Sequence, residues 1–130
     1  MMARRPTGRP TDFELEVLKV LWESGPSTVR EVLHAMLRER PMGYTTVLKM
    51  MQVMREKGLV ECDKRCRPQR YKPTQSRTSV LRRLAGDLLE RAFNGSTQLF
   101  LLHALDKKRC STQELAAIRE LLDEREGKER

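Results

Sequence analysis

The chain has 130 residues, of which 34% are charged and 38% apolar, with 26 Lys+Arg against 18 Asp+Glu and a formal net charge of +8. That length holds one domain, or one domain and a small extension. No apolar run approaches the ~20 residues that a membrane-spanning helix needs, which argues against insertion into a bilayer. The basic segment Met1 to Pro10 leads into no apolar stretch, so it is not expected to be a signal peptide, and a cytoplasmic location is expected. The charge is uneven: residues 1–77 carry 16 Lys+Arg against 9 Asp+Glu, and residues 78–130 carry 10 against 9. The front part is therefore expected to meet a polyanion, either nucleic acid or an anionic membrane surface.

In chain order, residues 1–10, with Arg4, Arg5 and Arg9, read as a flexible basic arm. Thr11-x-x-Glu14 is a capping box that opens a first helix. Its buried stripe is expected at Leu15, Leu18 and Trp22, with Val17 and Leu21 beside them, and Gly25-Pro26 ends it. A second capping box, Thr28-x-x-Glu31, opens a second helix with apolar positions Val29, Val32, Leu33, Met36 and Leu37, closed by Pro41; Ser27-Thr28-Val29 is expected to form a short strand just before it. The third helix starts at Tyr44-Thr45. Val47, Met50, Met51 and Met54 share one apolar face, Thr45, Lys49, Gln52 and Glu56 lie opposite, and Gly58 stops it. Leu59 to Asp63 alternates as a strand, Lys64 to Arg70 forms a basic turn, and Tyr71-Lys72-Pro73 returns as a second strand.

From Ser79 the texture changes. Leu81, Leu84, Ala85, Leu88, Leu89, Ala92 and Phe93 mark a long helix stopped by Asn94-Gly95. Leu99 to Leu105 is a short, nearly all-apolar helix. Ser111-x-x-Glu114 is a third capping box, and Leu115, Ile118, Leu121 and Leu122 line the last helix. Residues 125–130 are expected to fray. The expected fold class is mainly α: a winged helix-turn-helix DNA-binding domain over residues 11–76, followed by a helical dimerisation domain over residues 77–124.

Catalysis is not expected. His34 and His103 are each isolated, Glu14, Glu16, Glu23 and Glu31 read as helix surface and caps, and no phosphate loop, zinc-protease helix or nucleophile elbow occurs. Cys62, Cys66 and Cys110 are an odd count without a dense framework, as suits free thiols in a reducing cytosol. Cys62-x-x-x-Cys66 offers two metal ligands where a closed zinc site needs four, so neither a metal nor a cofactor is expected.

DNA binding is the reading that the pattern supports. A helix enters the major groove, where Gln pairs with adenine, Lys with guanine and the Thr methyl group with thymine. The candidate DNA-binding residues are Tyr44, Thr45, Thr46, Lys49 and Gln52 on the third helix, with Arg65, Arg67 and Arg70 on the wing for phosphates or a neighbouring minor groove. Duplex DNA is favoured over single strands, which are often held by stacking on exposed aromatics that this chain lacks in number. The C-terminal leucines call for a partner surface. Leu81, Leu84, Leu88, Leu99, Leu102, Leu115, Ile118 and Leu122 are expected to build a homodimer that sets two recognition helices on a palindromic operator. Two alternatives keep the fold: a thiol- or metal-responsive regulator using the three cysteines, and a winged-helix module that binds protein. The second would show an acidic or apolar outer face on the third helix, which here is neutral to basic.

These residues support a resemblance. From about Thr11 to Leu122 the chain resembles the penicillinase repressor family (BlaI/MecI type) of bacterial transcriptional regulators. The likeness rests on Glu14-Leu15-Glu16-Val17-Leu18-x-x-Leu21-Trp22, Tyr44-Thr45-Thr46-Val47, Glu56-Lys57-Gly58-Leu59-Val60 and Ser111-x-x-Glu114-Leu115. It implies a homodimeric repressor on an inverted repeat in a promoter, with induction through a membrane-bound sensor protease and cleavage of the repressor. Three departures stand out. Where β-lactam-responsive members carry the cleaved Asn-Phe bond, this chain has His103-Ala104; where a copper-responsive branch carries paired cysteines near the C-terminus, it has only Cys110; and Val53 stands where many relatives carry a basic residue.

Overall fold

The computed structural model describes residues 9–106 and 108–129. Apart from Arg9 and Pro10, the expected basic arm lies outside the described residues. The elements are α1 (Asp12–Ser24), α2 (Val29–Met36), α3 (Tyr44–Glu56), β1 (Val60–Asp63), β2 (Arg70–Pro73), α4 (Arg77–Ala92), α5 (Thr97–Ala104) and α6 (Thr112–Glu129). The fold is mainly α, with a winged helix-turn-helix in its N-terminal part. The chain divides into two compact units, residues 1–84 and 85–130, so the division falls within α4.

In the first unit the local signals become hydrogen bonds. The Thr11 hydroxyl accepts from Glu14 N (3.2 Å) while the Glu14 carboxylate accepts from Thr11 N (2.9 Å). Thr28 and Glu31 repeat this at the start of α2, at 3.1 Å both ways. Each such cap is worth about 1 kcal/mol. Gly25, at φ +80°, ends α1 in a backbone region closed to most side chains. Ser27 does not join a strand with Thr28 and Val29, as the sequence suggested. It forms a single bridge, donating to Tyr71 O at 3.0 Å and accepting from Tyr71 N at 2.8 Å. Thr28 is already committed as the α2 cap, which limits pairing to one residue.

β1 and β2 are antiparallel, with Val60 opposite Pro73, Glu61 opposite Lys72, Cys62 opposite Tyr71 and Asp63 opposite Arg70. Gly58, at φ +81°, turns the chain from α3 into the hairpin. Thr74 then closes the hairpin base, its hydroxyl donating to Gly58 O at 2.6 Å and its N–H to Leu59 O at 3.0 Å.

Val17, Leu18 and Leu21 of α1, Val29, Val32 and Met36 of α2, Val47, Met51 and Met54 of α3, and Leu59, Val60 and Tyr71 of the wing form one buried cluster. Two expectations need correcting. Leu15 is only half-buried, and Leu37, which caps the end of α2, is exposed. The phase of α1 is set instead by Glu14, Val17, Leu18 and Leu21, all buried at helical spacing.

Glu14 is thus no surface residue. Its side chain is 1% exposed and accepts two bonds from Lys57 Nζ, at 2.9 and 3.1 Å, beside the bond from Thr11 N. Burial pushes its pKa up. The bonds from Thr11 and the Lys57 ammonium outweigh burial and hold the carboxyl below its ordinary 4.5. Trp22, half-buried, donates its indole N–H to Gln75 O at 3.1 Å, tying α1 to the segment after β2.

The second unit takes its shape from turns. Asn94 (φ +50°) and Gly95 (φ +77°) stop α4, and Gly95 N donates back to Leu89 O at 2.8 Å. Ser96 caps α5 by accepting from Leu99 N at 3.0 Å. Phe93 and Phe100 meet edge to face, centroids 5.4 Å apart at 88°. Half of the expected third capping box is present: the Ser111 hydroxyl accepts from Glu114 N at 3.1 Å. Burial, and then the neighbouring Glu114 carboxylate, push the pKa of the Cys110 thiol up. α6 stays helical to Glu129, through the charged stretch expected to fray.

Candidate nucleic-acid interface

α3 turns one face wholly inward: Val47, Met51 and Met54 are fully buried. Their fixed positions set what points outward, and Tyr44, Thr45, Thr46, Lys49 and Gln52 are all exposed. Leu48 and Val53 flank this face half-buried, as does Met50, which the sequence placed on the apolar stripe. The N-cap of α3 is Gly43, which offers no side chain to its first N–H groups.

The wing residues separate into two groups. Lys64, Arg65, Arg67, Pro68 and Gln69 form the exposed tip. Arg65 is held over its own strand by Asp63, accepting at 3.2 Å, and the pair raises the Arg65 pKa while lowering that of Asp63. Arg70 is not at the tip. It begins β2, and its guanidinium donates to the Glu31 carboxylate at 3.0 Å and to Pro26 O at 3.3 Å. Glu31 therefore both caps α2 and anchors the wing. The bond from the Thr28 N–H, the nearby Thr28 hydroxyl and then Arg70 lower its pKa.

Two neighbours of the interface went unread in the sequence. Arg30, in the first turn of α2, places its guanidinium carbon 5.1 Å from the centroid of the Tyr44 ring. Gln69 accepts a bond from the Cys62 thiol at 3.3 Å. Only the Arg at the second position of a helix could have hinted at the first, and nothing local hints at the second. The Cys66 thiol faces Asp63 at 3.7 Å, so the two wing cysteines have different partners.

In the isolated chain Leu81, Leu88, Leu99, Leu102, Leu115 and Leu122 are exposed, while Leu84 and Ile118 are half-buried. Leu102 is 74% exposed and Leu122 50%, high values for side chains on apolar stripes. His103 and Ala104 end α5, the former exposed.

Known proteins match this arrangement over nearly its full length. A family model described as the penicillinase repressor matches residues 10–124. The chain belongs to the penicillinase repressor family. It is 35% identical over 118 residues to the transcriptional regulator BlaI of Mycobacterium tuberculosis (strain CDC 1551 / Oshkosh), covering 89% of this chain and 84% of that one. The same values hold for BlaI of strain ATCC 25618 / H37Rv. A penicillinase repressor of Bacillus licheniformis is 23% identical over 120 residues, covering 92% and 94%. Membership makes the chain a DNA-binding transcriptional repressor and not an enzyme. Among the described residues no helix is long and apolar enough to cross a membrane.

Proposed function

We propose that this repressor acts in the cytoplasm as a homodimer on an inverted-repeat promoter operator, with α3 in the major groove and the wing against the flanking backbone. The observation that carries the reading is the division of α3 into a sealed inner face and an outer face of Thr45, Thr46, Lys49 and Gln52. On this reading Lys49 and Gln52 read base edges, Thr45 and Thr46 contact bases or phosphates near the helix start, and Tyr44, Arg65 and Arg67 hold the backbone. Arg70 acts indirectly, by fixing the start of β2 against α2.

Pairing through the exposed leucines of α4, α5 and α6 would set the two recognition helices about one helical turn of DNA apart. Repression is relieved by losing that pairing, through proteolysis initiated by a membrane-bound sensor protease or through another signal. The test is binding to the chain's own promoter against random duplex at fixed salt. A specific complex is expected, and Lys49→Ala with Gln52→Ala should erode its preference by about 1–3 kcal/mol per lost base contact. Equal affinity of the wild-type chain for both duplexes overturns the proposal.

A further inference from the structure

Several cations of the first unit are committed to carboxylates: Lys57 to Glu14, Arg40 to Glu16, Arg65 to Asp63 and Arg70 to Glu31. Arg30 is different. Among the described residues it joins no salt bridge, and its sequence neighbour Glu31 is occupied by Thr28 and Arg70. Its one described partner is the Tyr44 ring, at the first position of the recognition helix. Both side chains are exposed, so the pair stands at the surface. They border a cleft shared by α2, α3 and the wing, where Leu48, Pro68, Gln69 and Tyr71 complete the wall.

From this geometry we infer that Arg30 is a further DNA-contacting residue: seated on Tyr44, it engages a backbone phosphate of the strand that passes between the start of α3 and the wing tip. The inference rests on the DNA-binding reading of α3 and deepens it by adding a contact from α2. The chemistry is specific to arginine. A guanidinium that meets a ring uses its charge against the ring face, while its N–H donors remain suited to the bidentate geometry of phosphate oxygens. The ring also narrows the range of positions open to a long side chain, which lowers the ordering cost on binding. Gln69 lies across the same cleft. Its carbonyl oxygen already accepts from Cys62, which leaves its amide N–H groups as the end that can meet the same strand.

The experiment measures affinity and its salt dependence on the promoter duplex and on random duplex, for the wild-type chain, Arg30→Gln, Arg30→Lys, Tyr44→Ala and the double variant Arg30→Gln/Tyr44→Ala. Thermal unfolding is followed in parallel. For Arg30→Gln we expect about a threefold to tenfold weaker complex on both duplexes, with each protomer's salt slope smaller by about 0.9 and unfolding unchanged. Arg30→Lys should keep the slope and recover part of the affinity. Tyr44→Ala should weaken binding, and the double variant should lose less than the product of the two single losses. An unchanged affinity and slope for Arg30→Gln, on either duplex, overturns the inference. So does strict multiplicativity of the two losses. Because random duplex reports the phosphate contact by itself, this outcome is separate from a wild-type chain that fails to prefer its promoter, which would overturn only the operator reading.

Discussion

The two units of this chain solve opposite problems with similar material. The first closes a core from three helices and a hairpin, and most of its large apolar side chains are buried in that core or packed against it. In the second, Cys110 is the only buried apolar side chain among the described residues, and leucine after leucine stays at the surface. Apolar periodicity does not separate them, since both carry helical stripes, of Leu, Val and Met in the first and of Leu and Ala in the second. The difference is one of closure. The hairpin folds back on α1, α2 and α3 and seals them, whereas the second unit contains no strand among its described residues. One unit is a finished fold; the other leaves much of its apolar stripe exposed in the isolated chain.

That contrast gives the sharpest test. Leu18→Ala, in the sealed core, should cost about 2–5 kcal/mol in chemical unfolding, because the cavity adds to the lost burial. Leu88→Asp, on the open surface, should leave the DNA-binding unit folded by circular dichroism but shift the chain to monomers in sedimentation. It should also weaken binding to a two-site operator by tenfold or more, at least about 1.4 kcal/mol. An unchanged mass for Leu88→Asp would show that the exposed leucines have no second copy as partner.

Next in size is the buried ion pair of the first unit. Lys57→Met leaves the Glu14 carboxylate buried with only its Thr11 bonds. The expected loss at neutral pH is about 1–3 kcal/mol, below the full value for a sealed pair because Lys57 is partly exposed. Folding lowers the pKa of Glu14, so its contribution is complete above the ordinary carboxylate value and fades as pH falls through the lower folded value. Removing the ammonium raises that folded value, so acid unfolding of Lys57→Met should begin at higher pH than in the wild-type chain. Coincident acid transitions would assign the lowered pKa to Thr11 alone. The smallest effect belongs to Arg67→Ala at the exposed wing tip. It should weaken all duplexes alike by a few-fold, with a salt slope smaller by about 0.9 per protomer and no change in stability.

Much of the first unit was legible because its signals are local. Two capping boxes, Gly25, Gly58 and an apolar period of 3.6 placed α1, α3 and the start of α2 within a residue or two, while α2 ends at Met36, well before the Pro41 expected to close it. What escaped was set at a distance. Glu14 looks like a capping carboxylate because it is one, and its second role depends on Lys57, 43 residues on. Arg70 reads as one more cation in a basic turn until the register puts it opposite Asp63 at the start of β2, within reach of Glu31. Arg30 gains meaning only beside Tyr44. For the candidate interface, periodicity showed which face of α3 points outward, but not which cations were already spoken for. In the second unit the stripes were plain, and only the fold showed that the chain itself leaves them uncovered.

The second strand and the residue after it are pinned three times: by Arg70 to Glu31, by Tyr71 to Ser27 and by Thr74 to Gly58. None of these fastenings involves residues 64–69. The scaffold and the tip are thereby separated as objects of selection. Changes in length or charge between Lys64 and Gln69 would leave these three fastenings in place. On the proposed reading, the grip of the tip on flanking DNA would be adjustable without touching the residues that α3 presents.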